Sequence, residues 1–231
     1  MLSDEQIERY SRQIILPQIG GKGQEKLLRS RIFVSVSGPM QASVLYYLAA
    51  AGVGTLGVFS YPPDALLTSL ASPQEPSPFH VLPRLNPDCS VRFHSEEEAL
   101  IPQQLVQFYD LILSDSDFLH DACYMERRLF LYAAARGNEA WLIPCRGFEP
   151  AAPCLHCIQD PFIINSLVSP FSVISALFMG AHLATEAIKQ ILTPLPSEDV
   201  KLLHFQFLDF HSVEKIVKKS AACRFCSPAC S

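Results

Sequence analysis

The period of hydrophobic and polar positions changes several times along this chain, and each change marks an element. Ser3-Asp4-Glu5-Gln6 has the form of a capping box, and a helix follows through Arg9, Tyr10, Arg12 and Gln13. Ile32–Ser37 reads as a buried strand, Met40–Ala51 as a helix and Thr55–Ser60 as the next strand. Seven prolines and no clear period between Pro62 and Pro87 predict a stretch that is mostly loop. Cys89–His94, Asp110–Ser114 and Glu139–Cys145 read as further strands, with helices near 96–107 and 118–136 between them. Such alternation predicts a parallel sheet covered by helices.

Pro170–Leu192 is a long apolar helical segment. His182, Glu186 and Lys189 fall at i, i+4 and i+7, and that single polar stripe makes it an amphipathic core helix rather than a membrane span. Leu202–Phe210 and Val213–Lys218 predict an antiparallel hairpin, after which a short cysteine-rich tail ends the sequence. No internal repeat or low-complexity block interrupts this order.

Composition narrows the class. Of the 231 residues, 49% are hydrophobic and only 18% charged, which excludes a disordered chain and predicts a well-filled core. The formal net charge of -5 lacks the basic surplus of a general nucleic-acid binder, so no nucleic-acid partner is expected. Ile32 to Pro63 carries no charge at all, but Gly38-Pro39 and the glycines at 52, 54 and 57 cut it into pieces too short to span a membrane. The N-terminal segment is charged and lacks an apolar signal core, and eight cysteines are too sparse for a secreted disulfide scaffold. A reducing, cytoplasmic setting is the expectation, where spaced cysteines point to metal before disulfide.

Cys154-Leu-His-Cys157 and Cys223-Arg-Phe-Cys226 are two CxxC pairs. Each holds two thiolates on one tight turn, and two such turns complete a tetrahedral zinc site with no open position for chemistry. A redox pair or an iron–sulfur cluster is the alternative. The site would pin the C-terminal tail against the loop at Pro153. His156 reads as a loop histidine rather than a ligand, Cys230 as a bystander, and Cys89, Cys123 and Cys145 as buried, inert thiols.

The stretches LSDEQIERYSRQIILPQIGGKGQEKLLRSR, YLAAAGVGTLGV, LNPDCSV, DLILSDSD, PCLHC, TEAIKQIL and the final CRFC occur in the order of one family. They resemble the ThiF/MoeB/HesA family, relatives of the ubiquitin-activating enzymes, over nearly the whole chain. The resemblance implies an α/β fold: a doubly wound, Rossmann-like, mostly parallel sheet with helices on both faces, a dimer interface and a structural four-cysteine zinc. With the C-terminal hairpin, this makes one domain over 1–231, comprising a helical arm at 1–30, a nucleotide-binding half at 31–150 and a zinc-bearing half at 151–231. The reaction implied is adenylation of the C-terminal glycine of a ubiquitin-like sulfur-carrier protein with ATP and magnesium.

Departures from that pattern bear on function. The family's GxGGxG loop, whose glycines let backbone amides approach phosphate at a helix N-terminus, is matched by Val36-Ser37-Gly38-Pro39-Met40-Gln41. Only Gly38 remains, and Pro39 removes an amide donor. Ser60 stands where the family has an acidic residue for the ribose, and there is no Lys or Arg between Arg31 and Arg84 to meet phosphates. The family's D-x-T-D becomes Ser114-Asp115-Ser116-Asp117. Asp117 matches the second acidic position, while Asp115 replaces the first only by a one-residue slip that strand alternation would turn to the other face. No cysteine lies between Ile158 and Ala222, where many members carry one for thioester or persulfide chemistry.

Arg12 matches the family's RYxRQ arginine, which reaches across the dimer toward the partner's ATP phosphates; its plain alternative is a helix anchor. Taken together, the expectation is a pseudoenzyme subunit that keeps fold, zinc and dimer surface, ATP and magnesium binding being doubtful. It would form a homodimer or a heterodimer with an active paralogue, or bind a sulfur-carrier protein. An active adenylyltransferase using Asp115 or Asp117 for magnesium is the first alternative, and a peptide-binding module of modified-peptide biosynthesis the second.

Overall fold

The strand Arg31–Ser35 (β1) buries Ile32, Phe33 and Val34 completely, so it needs apolar cover on both faces. In the computed structural model, which describes residues 1–59, 81–158, 172–193 and 200–227, β1 pairs in parallel with two strands. Thr55–Phe59 (β2) lies on one side and Leu111–Ser114 (β4) on the other. Ser90–His94 (β3) adds in parallel to β2, and Leu129–Arg136 (β5) to β4. Glu139–Cys145 (β6), Lys201–Gln206 (β7) and His211–Ile216 (β8) continue the sheet antiparallel. The order among the described residues is β3-β2-β1-β4-β5-β6-β7-β8: eight strands, parallel from β3 through β5 and ending in the expected hairpin.

Helices cover both faces. Asp4–Ile14 (α1) and Gly20–Arg29 (α2) precede β1, and Gly38–Ala51 (α3) follows it. α3 packs against the long helix Ser172–Leu192, and on their side of the sheet lie Ile32, Val34, Leu56, Leu113 and Leu131. The opposite layer joins Phe33, Ile112 and Phe130 to Leu105 and Leu119. Successive residues of β1 thus feed different layers, as strand geometry requires. The long helix carries His182 and Glu186 half-buried and Lys189 exposed, matching the polar stripe read from sequence. Among the described residues no helix is long and apolar enough to cross a membrane.

Three expectations need correction. The helix expected near 118–136 is only His120–Met125, and Leu129–Arg136 is strand β5. Leu129–Ala135 has no alternation because its central residues are buried on both faces, so its period could not be told from a helix. Arg127, at φ 53, ends the helix, and Gly137-Asn138 turns the chain directly into β6, which therefore runs antiparallel. The helix near 96–107 is two short ones, Glu96–Ala99 and Pro102–Gln107, the second with proline in its first turn. Within the proline-rich stretch Val81–Leu85 is helical, while residues 60–80 lie outside those described.

The N-terminal helix α1 has the capping box: Gln6 N donates to Ser3 Oγ at 3.2 Å, and Ser3 N donates to Gln6 Oε1 at 3.1 Å. Its inner face is held by polar contacts. Tyr10, 1% exposed, donates to Asp88 Oδ2 at 2.9 Å and accepts from Asn86 Nδ2 at 2.8 Å. Gln6 Nε2 donates to Asp88 Oδ1 at 3.1 Å, and Arg9 forms an ion pair with Asp88. Burial pushes the Tyr10 hydroxyl up to about 12. Burial also opposes ionisation of Asp88, but the hydrogen bonds from Gln6, Tyr10 and Arg9 hold its carboxyl below the ordinary 3.8.

A second polar pair is buried beneath β2. Tyr109 Oη and His94 Nε2 share a hydrogen bond of 2.5 Å, and a Cβ on Gly57 would lie 2.1 Å from that hydroxyl. Gly57→Ala must therefore displace Tyr109, and we expect a loss of about 1–3 kcal/mol in urea unfolding. An unchanged midpoint would mean the ring moves freely. For Asp88, the depressed folded value means that its contribution is present above the unfolded value near 3.8 and is lost as pH falls from there through the lower folded value. Asp88→Asn should flatten the decline of the unfolding midpoint between pH 5 and pH 3, by about one titrating group; equal slopes would remove Asp88 from the account.

Candidate functional site

The strands β2 and β4 flank β1, and their connections leave in opposite directions, so a crevice opens at the carboxyl ends of these strands. A cleft of about 560 Å³ occupies that place. Val34 to Ser37 form one wall, Gly38 and Gln41 the start of α3, Phe59 the end of β2, and Asp115, Ser116 and Phe118 the segment after β4. Phe59 is fixed edge-on to Phe33, with ring centroids 4.9 Å apart.

The loop from β1 to α3 explains which glycine was kept. Gly38 has φ 62, the left-handed region that favours glycine, whereas Val36 is 3% exposed and has joined the core. Pro39 sits in the first turn of α3, where its missing amide costs the helix nothing but leaves one donor fewer for a ligand. Ser37, at the N-cap, makes no capping bond to its own helix; its amide and hydroxyl both donate to Asp115 Oδ2, at 2.9 and 2.5 Å.

The acidic candidates separate clearly. β4 ends at Ser114, so the alternation that would turn Asp115 to the far face does not reach it, and Asp115 lines the cleft. Ser114 is fully buried and pins the segment that follows its own strand: its hydroxyl donates to Ser116 O at 2.9 Å and accepts from Ser116 N at 3.2 Å. Asp117 is exposed and absent from the cleft wall, and its carbonyl receives His120 N at 2.9 Å. Arg12 is exposed in the last turn of α1, with no hydrogen-bond or ion-pair partner among the described residues. No Lys or Arg is among the described residues lining the cleft. These residues do not fit a bound polyphosphate with magnesium, which needs several cations or free amide donors.

The four cysteines do converge. Cys154, Cys157, Cys223 and Cys226 are buried, and their sulfurs lie within 4.8 Å of one another. The separations are 3.8 Å for Cys154–Cys157, 3.7 Å for Cys154–Cys223 and 3.4 Å for Cys157–Cys226. A tetrahedron with metal–sulfur bonds of about 2.3 Å has edges of about 3.8 Å, so the set fits zinc. Ser220 N points at Cys157 Sγ, 3.5 Å away. Burial raises the Cys223 thiol, but backbone amides of Cys226 and Phe225 outweigh it and bring the group down to about 7. Cys89 and Cys123, by contrast, are pushed up by burial, as inert thiols are. Cys230 lies outside the described residues.

Beside this centre stands a cluster that sequence reading missed: His120, Asp121 and His156. Leu155 N donates to His120 Nε2 at 3.0 Å, so that nitrogen is an acceptor and Nδ1 carries the proton, given to Asp121 Oδ1 at 2.9 Å. His156 Nε2 meets the same oxygen at 2.8 Å. With both nitrogens of His120 engaged, the cluster braces the His120–Met125 helix against the cysteine loop. Phe225 packs on both imidazoles. Only the three-dimensional approach of residues 35 positions apart reveals it.

No family model matches the chain. It is 31% identical over 212 residues to the adenylyltransferase and sulfurtransferase MOCS3 of Drosophila ananassae, covering 83% of this chain and 47% of that protein. To the protein of the same name from Anopheles gambiae it is 30% identical over 260 residues, covering 99% and 56%. The chain thus spans about half the length of the curated relatives it matches. The crystal structure of E. coli MccB with MccA-N7isoASN shares the fold, with TM-score 0.76 at 15% identity over 95% of this chain and 74% of that one. The chain belongs to the ThiF/MoeB-like adenylyltransferase family.

For the cysteine centre we expect about one zinc per chain by atomic absorption. Cys223→Ser should lower that stoichiometry and the thermal midpoint together, while Cys123→Ser leaves the metal in place. Full zinc in the Cys223 variant would exclude the four-sulfur site.

Proposed function

We propose that this chain is a non-catalytic member of its family, a cytoplasmic subunit that has kept the scaffold and lost its own nucleotide. The observation that carries this reading is the switch-point cleft, whose described lining contains no cation and contains the Asp115 carboxylate. A triphosphate placed there meets like charge in a partly dehydrated wall, with no cation among the described lining residues to offset it. In this reading Cys154, Cys157, Cys223 and Cys226 hold a structural zinc, which supplies cross-linking and no reaction step. The chain works in a dimer, either with itself or with an active paralogue, or binds a ubiquitin-like sulfur-carrier protein. Arg12, exposed and without a partner among the described residues on an otherwise anchored helix, is the group offered to a partner's γ-phosphate. The anchoring of Gln6, Arg9 and Tyr10 on Asn86 and Asp88 supports that role, because it fixes the helix from which Arg12 projects.

A second reading has one observation in its favour. Asp115 faces the cleft, where a carboxylate of an active adenylyltransferase could hold magnesium. Calorimetric titration of MgATP into the zinc-loaded protein separates the two. We expect no saturable heat up to millimolar nucleotide, and micromolar binding would sink the non-catalytic reading. Mixed with an active paralogue, the Arg12→Ala protein should lower the partner's pyrophosphate exchange by about tenfold or more, the scale of removing one charge-assisted hydrogen bond from a transition state.

A further inference from the structure

The amide and hydroxyl of Ser37 stand at the entry to α3, and both donate to a single oxygen of Asp115. In a doubly wound fold the donors of this turn, between the first strand and its helix, are the ones that receive nucleotide phosphate. Here a carboxylate of the chain itself receives them. It is held in register from behind, since Ser114 bonds both the carbonyl and the amide of Ser116 and fixes the backbone on either side of Asp115. The turn is therefore satisfied without a ligand, and the cleft keeps a fixed negative charge in its wall. Among the described residues its other polar lining groups are Ser35, Ser37, Gln41 and Ser116, all uncharged, between the rings of Phe59 and Phe118.

We propose that Asp115 is a built-in anion standing in for the phosphate at this turn, and that it sets the specificity of the cleft by excluding phosphate-bearing ligands. The proposal deepens the non-catalytic reading and rests on it in one respect, that the cleft is not an ATP site. A phosphate can enter only by displacing Asp115 from Ser37 or by settling beside it with no cation among the described residues to compensate; both routes are unfavourable. Ligands admitted are uncharged or cationic. Magnesium ligation by Asp115 makes the opposite forecast, because removing the carboxylate would then weaken nucleotide binding.

The test is calorimetric titration of ATP, with and without magnesium, into the zinc-loaded wild type, Asp115→Asn and Asp115→Ala, after urea midpoints have established that each is folded. Asp115→Asn removes the charge and keeps an acceptor for Ser37; Asp115→Ala removes both and frees the two donors. We expect no saturable binding by the wild type, a gain of about tenfold or more in affinity for Asp115→Ala, and a smaller gain for Asp115→Asn. Should Asp115→Ala be unstable, the Asp115→Asn result decides alone, because charge removal by itself must raise affinity. No gain in any folded variant overturns the proposal and leaves the non-catalytic reading standing. Binding by the wild type that Asp115→Ala abolishes overturns both, and marks Asp115 as a cation ligand. Equal binding by all three overturns both as well, since the carboxylate would then have no influence on phosphate.

Discussion

β1 is buried on both faces and hydrogen-bonded along both edges, and the positions of the other elements follow from that. A strand so enclosed has no freedom of register: a slip of one residue would exchange Phe33 for Ile32 or Val34 across two layers of different shape. With β1 fixed, β2 and β4 are fixed beside it, and the crevice at their carboxyl ends is a geometric consequence rather than a separate feature. The chain must leave β1 through Val36 and Ser37 and enter α3 at Gly38. In the reading proposed above, the contacts that these residues make decide what the crevice admits.

The β1–α3 loop distinguishes two demands on glycine. Gly38 is required by the backbone, because a left-handed φ at that point lets the chain enter the helix. The remaining glycines of the family's loop serve close approach by a ligand, and here Val, Pro and Gln stand in their places. Folding has kept what folding needs. The same division runs through the N-terminal arm, where Gln6, Arg9 and Tyr10 answer to Asn86 and Asp88 within this chain. In the reading proposed above, Arg12 alone answers to something outside it.

Much of this is legible in the sequence, for reasons that differ by residue. The Ser3–Gln6 capping box and the CxxC pairs are local, so spacing is enough to place them. β1 and β2 are legible because short apolar runs bounded by glycine and proline exclude a long helix. β5 is not, because burial on both faces erases the alternation that would have named it. The direction of Asp115 is not legible either, since where β4 stops is set by the Ser114 cross-link and not by any local signal. The His120–Asp121–His156 brace has no sequence signal, as it exists only once the His120–Met125 helix meets the cysteine loop.

The cysteine centre has a consequence beyond local order. Its two halves lie at either end of a segment holding the Ser172–Leu192 helix and the β7–β8 hairpin, so a metal there closes the chain into a ring at this point. Closing a ring of that size removes conformations from the unfolded ensemble, and it stops fraying at the C-terminus from running inward. The last third of the chain would then open only as one unit, with a free energy governed by metal supply. Zinc supply would then add to the contacts that β7 makes with β6 and the long helix makes with α3, and would raise the cost of opening that third.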